Sequence, residues 1–99
     1  MVKGYVYILC NRKNGTLYVG VTKDIFARLS EHKAQADPDS FTAKYGVTRL
    51  VHLETYDFVS EAIAREKQIK NWKRQWKIAL IEEGNPDWEE IRLDWRDVR

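Results

Sequence analysis

Tyr7, Tyr18, Arg28, His32 and Glu66 are among the side chains of this 99-residue chain whose types can exchange a proton, grip a phosphate or hold a cation. A phenol can accept a proton, although a reference pKa of about 10 makes it a poor base near neutrality. A guanidinium offers a planar fork of donors that matches phosphate or carboxylate oxygens. Arg28 and His32 lie one helical turn apart and border the same apolar stripe, so neither points away from the core. Glu66 is the anomaly. It sits one turn after Ala62 and just before Ile69, inside an apolar stripe, where a carboxylate is costly unless paired, hydrogen-bonded or bound to a cation. The plain alternative is an i,i+4 pair with Lys70, worth only ~0.2–0.5 kcal/mol.

A second constellation is basic and aromatic. Lys67, Lys70, Lys73, Arg74 and Lys77 surround Asn71, Trp72 and Trp76. Interleaved cations and rings can hold phosphates and stack bases. The same pattern describes a solvated face over buried tryptophans, and the sequence leaves both readings open. His52 has no His, Cys or carboxylate partner at zinc spacing and reads as a strand-surface histidine.

The elements that must position these groups follow from local chemistry. Tyr5 to Cys10 is rich in β-branched and aromatic residues and reads as a strand. Asn11 to Gly15 supplies a turn in which Asn14 and Gly15 tolerate positive φ, and Thr16 to Val21 returns as the second arm of a hairpin. The missing Cβ of Gly20 lets another backbone or a ligand come close. Asp24 can cap the helix that follows, whose stripe is Ile25, Leu29 and Ala36. Gln35 to Ser40, with Asp37-Pro38-Asp39, reads as a loop. Arg49 to Tyr56 alternates loosely and suits a central third strand. From Ser60, a candidate cap, Ala62, Ile69, Trp76 and Leu80 recur on one face, with a break expected near Asn71 to Arg74. Asn85-Pro86 reads as an N-cap and first helical position of a short terminal turn, with Trp88 and Ile91 packing inward. The expected fold is α/β: a small three-stranded antiparallel sheet flanked by helices, in the order β-β-α-β-α-α.

Tyr5-Val6-Tyr7, followed about ten residues later by Tyr18-Val19-Gly20 and then by Arg28, His32 and Glu66, resembles the GIY-YIG nuclease family, above all its small stand-alone members. Tyr5 stands where that family has the glycine of its first triplet, and Val19 where it has the isoleucine of its second. The resemblance implies an endonuclease that hydrolyses DNA phosphodiester bonds, at branched, flapped or single-stranded regions, with one divalent ion, Mg²⁺ or Mn²⁺. It assigns the ion to Glu66, the phosphoryl oxygens to Arg28, the general base to Tyr18 with Tyr7 positioning water or phosphate, and a hydrogen bond to a tyrosine or phosphate oxygen to His32. It also places Lys44 and Tyr45 near the substrate groove, where an exposed lysine beside a packing tyrosine is the plain reading. Asn85 is the nearest match to an asparagine that some members use late in the domain. Lys67, Lys70, Lys73 and Arg74 complete the nucleic-acid-binding set. The rivals are a nucleic-acid-binding module without turnover and a protein-interaction domain that displays one of Trp72, Trp76, Trp88 or Trp95.

Composition limits the choices. Residues 1–99 suffice for one domain with a single core but not for a separate specificity module. With 43% hydrophobic and 12% aromatic residues, disorder is not indicated. A net charge of +2 is only mildly basic, so nucleic-acid binding has to rest on local clustering. Cys10 has no partner for an internal disulfide and reads as a small buried hydrophobe. No apolar run nears the ~20 residues that cross a bilayer, and the expected location is cytoplasmic.

Overall fold

The computed structural model describes residues 2–34 and 38–93. Gln35, Ala36 and Asp37 of the expected loop and stripe, and Trp95, lie outside the described residues. Strands β1 (Gly4–Cys10) and β2 (Leu17–Thr22) form the hairpin, and β3 (Arg49–Tyr56) pairs with the other side of β1. Helices α1 (Ile25–Ala34), α2 (Phe41–Tyr45), α3 (Val59–Lys70) and α4 (Arg74–Gly84) complete the order. It is the expected α/β arrangement, with the short α2 added. All pairings are antiparallel in the order β2-β1-β3, so the central strand is β1 and β3 is an edge. The loose alternation of β3 has another source. A register shift opposite Ile8 and Leu9 leaves Val51 as an extra residue, so that Leu50 joins Leu53 in one core while Val51 shares the face of His52 in the other.

Every residue of β1 is buried, because both of its edges are paired and both of its faces are covered. Alternation divides it. Val6, Ile8 and Cys10 pack with Ala62 and Ile69 of α3, Ile81 of α4 and Trp88. Tyr5, Tyr7 and Leu9 pack on the other face with Ile25, Val47 and Leu50. Burying one such side chain fully stabilises the fold by roughly 1.5–3 kcal/mol.

Turns and caps fix the joints. Asn14 has φ +58, and Gly15 N–H donates to the Arg12 carbonyl at 2.9 Å. Asp24 caps α1 as expected, its Oδ1 accepting from Ala27 N–H at 3.1 Å. Ser60 does not cap α3: the helix begins at Val59 with Phe58 at the N-cap position. The break in the long helical pattern falls between Lys70 and Arg74. As α4 is thereby a separate helix, Ile81 turns to the core and Trp76 to solvent, 52% exposed. Asn85 is the C-cap of α4 rather than the start of a further helix. Its amide donates to the carbonyls of Val51 and Glu89 and accepts from Glu89 N–H, so it pins the last segment to β3. Trp88 and Ile91 do pack inward, one in each core.

Candidate active site

Tyr7 and Tyr18 project from the face of the sheet that α1 covers, because Leu9 stands opposite Tyr18 and Tyr7 opposite Gly20 in the hairpin register. The space over Gly20 is filled by the Tyr7 ring. His32 closes a triangle of rings: its centroid is 5.8 Å from that of Tyr7 and 5.5 Å from that of Tyr18, and the two phenols are 6.2 Å apart.

The Tyr7 hydroxyl lies 3.1 Å from His32 Nε2, and His32 Nδ1 lies 2.9 Å from Thr42 Oγ1. Thr42 is a buried residue of α2, and the Ser40 hydroxyl stands 3.4 Å from it. Ser40 in turn caps α2, accepting from Ala43 N–H at 3.2 Å. Thr42 carries no motif of its own. Only its spacing from His32 in three dimensions reveals it.

Burial pushes the Tyr7 phenol well above the usual tyrosine value; Tyr18 adds to that, and the Arg28 guanidinium opposes it without cancelling it. The Arg28 charge by itself would favour a phenolate, and at Tyr7 desolvation outweighs it. Burial, then Arg28, lowers the His32 pKa below the ordinary histidine value, with Glu31 opposing. Near neutrality a protonated Tyr7 can therefore donate to a neutral His32 at Nε2, while Nδ1–H donates to Thr42. Tyr18 is less buried than Tyr7 and is the phenol more open to solvent.

Arg28 is half-exposed and forms an i,i+3 pair with Glu31 at 3.4 Å. It lines a hollow of about 410 Å³ at the outer side of β2, together with Val21, Ala27, Val59 and Ile63. α1 and α3 meet there, although α3 packs mainly on the face opposite the phenols. Glu66 follows Val59 and Ile63 along one side of α3, and its side chain is only 13% exposed. It thus lies between the buried stripe of Ala62 and Ile69 and the stripe that faces the hollow. Its ion pair is the plain one, Lys70 Nζ at 3.3 Å. Among the described residues no cluster of three or more His, Cys, Asp or Glu could hold a metal. One sheltered carboxylate is still a fitting Mg²⁺ ligand when waters and substrate phosphate fill the remaining positions.

The cations expected to bind nucleic acid are dispersed. Lys44 and Tyr45 are exposed on α2, beside the ring cluster. Lys67 and Lys73 are exposed, and Lys70 is occupied by Glu66. Arg74 is committed to structure, donating from Nη2 to the carbonyls of Asn14 and Gly15 at 2.8 and 2.5 Å. Trp76 meets Trp72 edge-on at 6.3 Å. Trp88 is fully buried, so Trp76 is the tryptophan displayed among the described residues.

His52 has a carboxylate partner after all. On the far face of the sheet, Glu54 accepts from His52 Nε2 (2.8 Å), Tyr56 hydroxyl (2.6 Å) and Arg65 Nε (2.9 Å), and Arg65 lies over Trp72. Alternation along β3 would have placed His52, Glu54 and Tyr56 on one face. This network braces α3 against β3.

Residues 3–79 match the profile of the GIY-YIG catalytic domain. The chain is 43% identical over 89 residues to a UPF0213 protein of Staphylococcus epidermidis, covering 85% of this chain and 100% of that one. It is 43% identical over 88 residues to a UPF0213 protein of Syntrophus aciditrophicus, covering 88% and 98%. The solution NMR structure of a UPF0213 protein from Bacillus halodurans superimposes with a TM-score of 0.55 at 30% identity, covering 88% of this chain and 90% of that one.

Proposed function

Since this chain belongs to the GIY-YIG family, a nuclease superfamily, we propose that it is a divalent-metal-dependent endonuclease that hydrolyses phosphodiester bonds in DNA, at branched, flapped or single-stranded regions. The observation that carries this reading is the convergence of Tyr7, Tyr18 and His32 beside Arg28 on one face of the sheet. Hydrolysis needs an activated water, donors for the charge that develops on the phosphoryl oxygens, and support for the leaving oxygen.

Tyr18 takes the proton from water. Tyr7 is the weaker candidate, because its phenol is buried and holds its proton tightly. It positions water or phosphate through its oxygen, with its own orientation set by His32. Arg28 turns from Glu31 to the phosphoryl oxygens; removing a donor of this kind commonly costs ~3–4 kcal/mol of transition-state stabilisation. Glu66 would hold a single Mg²⁺ or Mn²⁺, which supplies Lewis-acid stabilisation of phosphoryl oxygens when bound. Displacing Lys70, itself half-exposed, frees the carboxylate at little cost.

The test is incubation of the purified protein with labelled linear, flapped and single-stranded DNA, with Mg²⁺ or with chelator. Cleavage that needs the metal and disappears in Glu66→Ala is expected. No cleavage by the parent, or equal cleavage by the variant, defeats the reading. A second reading, binding without turnover, is favoured by Trp76 displayed near Lys73 and Lys77. Affinity then falls with log salt at roughly −0.7 to −0.9 per phosphate contact and is indifferent to Glu66→Ala.

A further inference from the structure

Three aromatic rings lead outward from His32 in an unbroken row. Tyr18 stacks on Phe41 at 6.2 Å between centroids with 29° between planes, and Phe41 meets Tyr45 at 4.9 Å. Phe41 is 45% and Tyr45 51% exposed, an unusual display for two large rings in contact. They stand one turn apart on α2, a helix held at both ends: Ser40 caps its start, and Gly46, at φ +64, closes it with N–H bonds to its last turn. Between them, Thr42 points the opposite way and holds His32. One rigid turn of helix thus supports the imidazole from its inner side and presents two ring faces on its outer side.

We propose that Phe41 and Tyr45 form a stacking platform for unpaired nucleobases of the strand whose phosphate reaches Tyr18 and Arg28. This deepens the nuclease reading and rests on it. The occupant follows from two features. The platform is continuous with Tyr18 of the candidate site, and Lys44 on the same turn supplies an exposed cation for the backbone. Ring faces bind base faces, and within a duplex base faces are already stacked on one another, so the platform selects strands with unpaired bases near the cut. Phe41 belongs to no motif; its contact with Tyr18 identifies it.

The test uses the full chain in chelator, so that nothing is cut, and fluorescence anisotropy with a labelled oligothymidylate and an abasic strand of the same length and charge. The parent should prefer the strand with bases by roughly 5- to 150-fold for each base stacked. In Phe41→Leu/Tyr45→Leu, which keeps apolar bulk but lacks ring faces, the preference should vanish while affinity for the abasic strand is unchanged. Phe41→Trp should retain it. If the double variant has lost its fold by circular dichroism, Tyr45→Gln alone, at the exposed end, should reduce the preference. Equal affinity of the parent for both strands, or a preference that survives loss of the rings, overturns the platform. Base-dependent binding by a protein that cuts nothing supports the platform and sinks the nuclease reading; cutting with equal affinity for both strands does the reverse.

Discussion

Tyr7 and His32 are joined hydroxyl to Nε2 at 3.1 Å, a bond that ties the central strand to the first helix across the core they share. The two groups titrate in opposite directions, the phenol upward and the imidazole downward, and burial is the main cause of both shifts. Each therefore stays neutral near pH 7, and the pair is a neutral hydrogen bond that orients rather than an ion pair.

The two phenols should separate when each is replaced by phenylalanine. Tyr7→Phe leaves His32 Nε2 without its partner and should cost about 1 kcal/mol, read as a fall in Tm of roughly 4–8 °C. Tyr18→Phe should leave Tm nearly unchanged and lower the cleavage rate by about 10²–10⁴, the usual contribution of a general base. Full activity in Tyr18→Phe would move the base elsewhere.

His32 makes stability pH-dependent. Its folded pKa lies below the 6.5 of an unperturbed imidazole, so the unfolded chain takes up a proton first. Its contribution is complete above 6.5 and is lost as the pH falls through the lowered folded value. Urea unfolding of the parent and of His32→Asn across this window should show the parent's advantage shrinking on acidification. Parallel curves would contradict the assignment.

Glu54 sets a second, more acidic window. Burial alone would raise its pKa, but hydrogen bonds from His52, Arg65 and Tyr56 outweigh burial and bring it down from 4.5 to about 2. The stabilisation is present above 4.5 and lost as the pH falls towards 2, at most ~3 kcal/mol for a side chain this sheltered. Acid unfolding followed by circular dichroism should begin at higher pH in Glu54→Gln, which lacks the charge that Arg65 binds.

Gly20→Ala tests the packing over the hairpin. An added Cβ would collide with the ring and hydroxyl of Tyr7, which is buried and cannot swing aside cheaply. A loss of about 1–3 kcal/mol is expected from overpacking, together with reduced cleavage. Gly84→Ala, where a Cβ meets nothing within 4 Å, is the control: in the last turn of α4 it should leave Tm unchanged or raise it by up to a few degrees.

The sequence by itself determined what depends on neighbours in the chain. The hairpin with Asn14 at positive φ, the Asp24 cap, the break after Lys70 and the inward packing of Trp88 and Ile91 are all written in local residue types and short periods. The spacing of Tyr7, Tyr18, Arg28 and His32 was equally legible, because hairpin register and one helical turn bring them together. Tertiary structure decided the rest. Which strand is central depends on which edge of the hairpin β3 finds, and pairing with β1 rather than β2 made β1 the central strand. Ser60 satisfies a cap pattern, yet α3 starts at Val59, whose N–H bonds to the distant Val2 carbonyl, and Asn85 keeps its local bonds to Glu89 while adding one to Val51 that ties it to β3. Thr42 against His32, Phe41 against Tyr18 and Arg74 on the hairpin turn join residues between 10 and 60 positions apart. No period in a sequence encodes such contacts, because they exist only once the sheet has fixed where each helix lands.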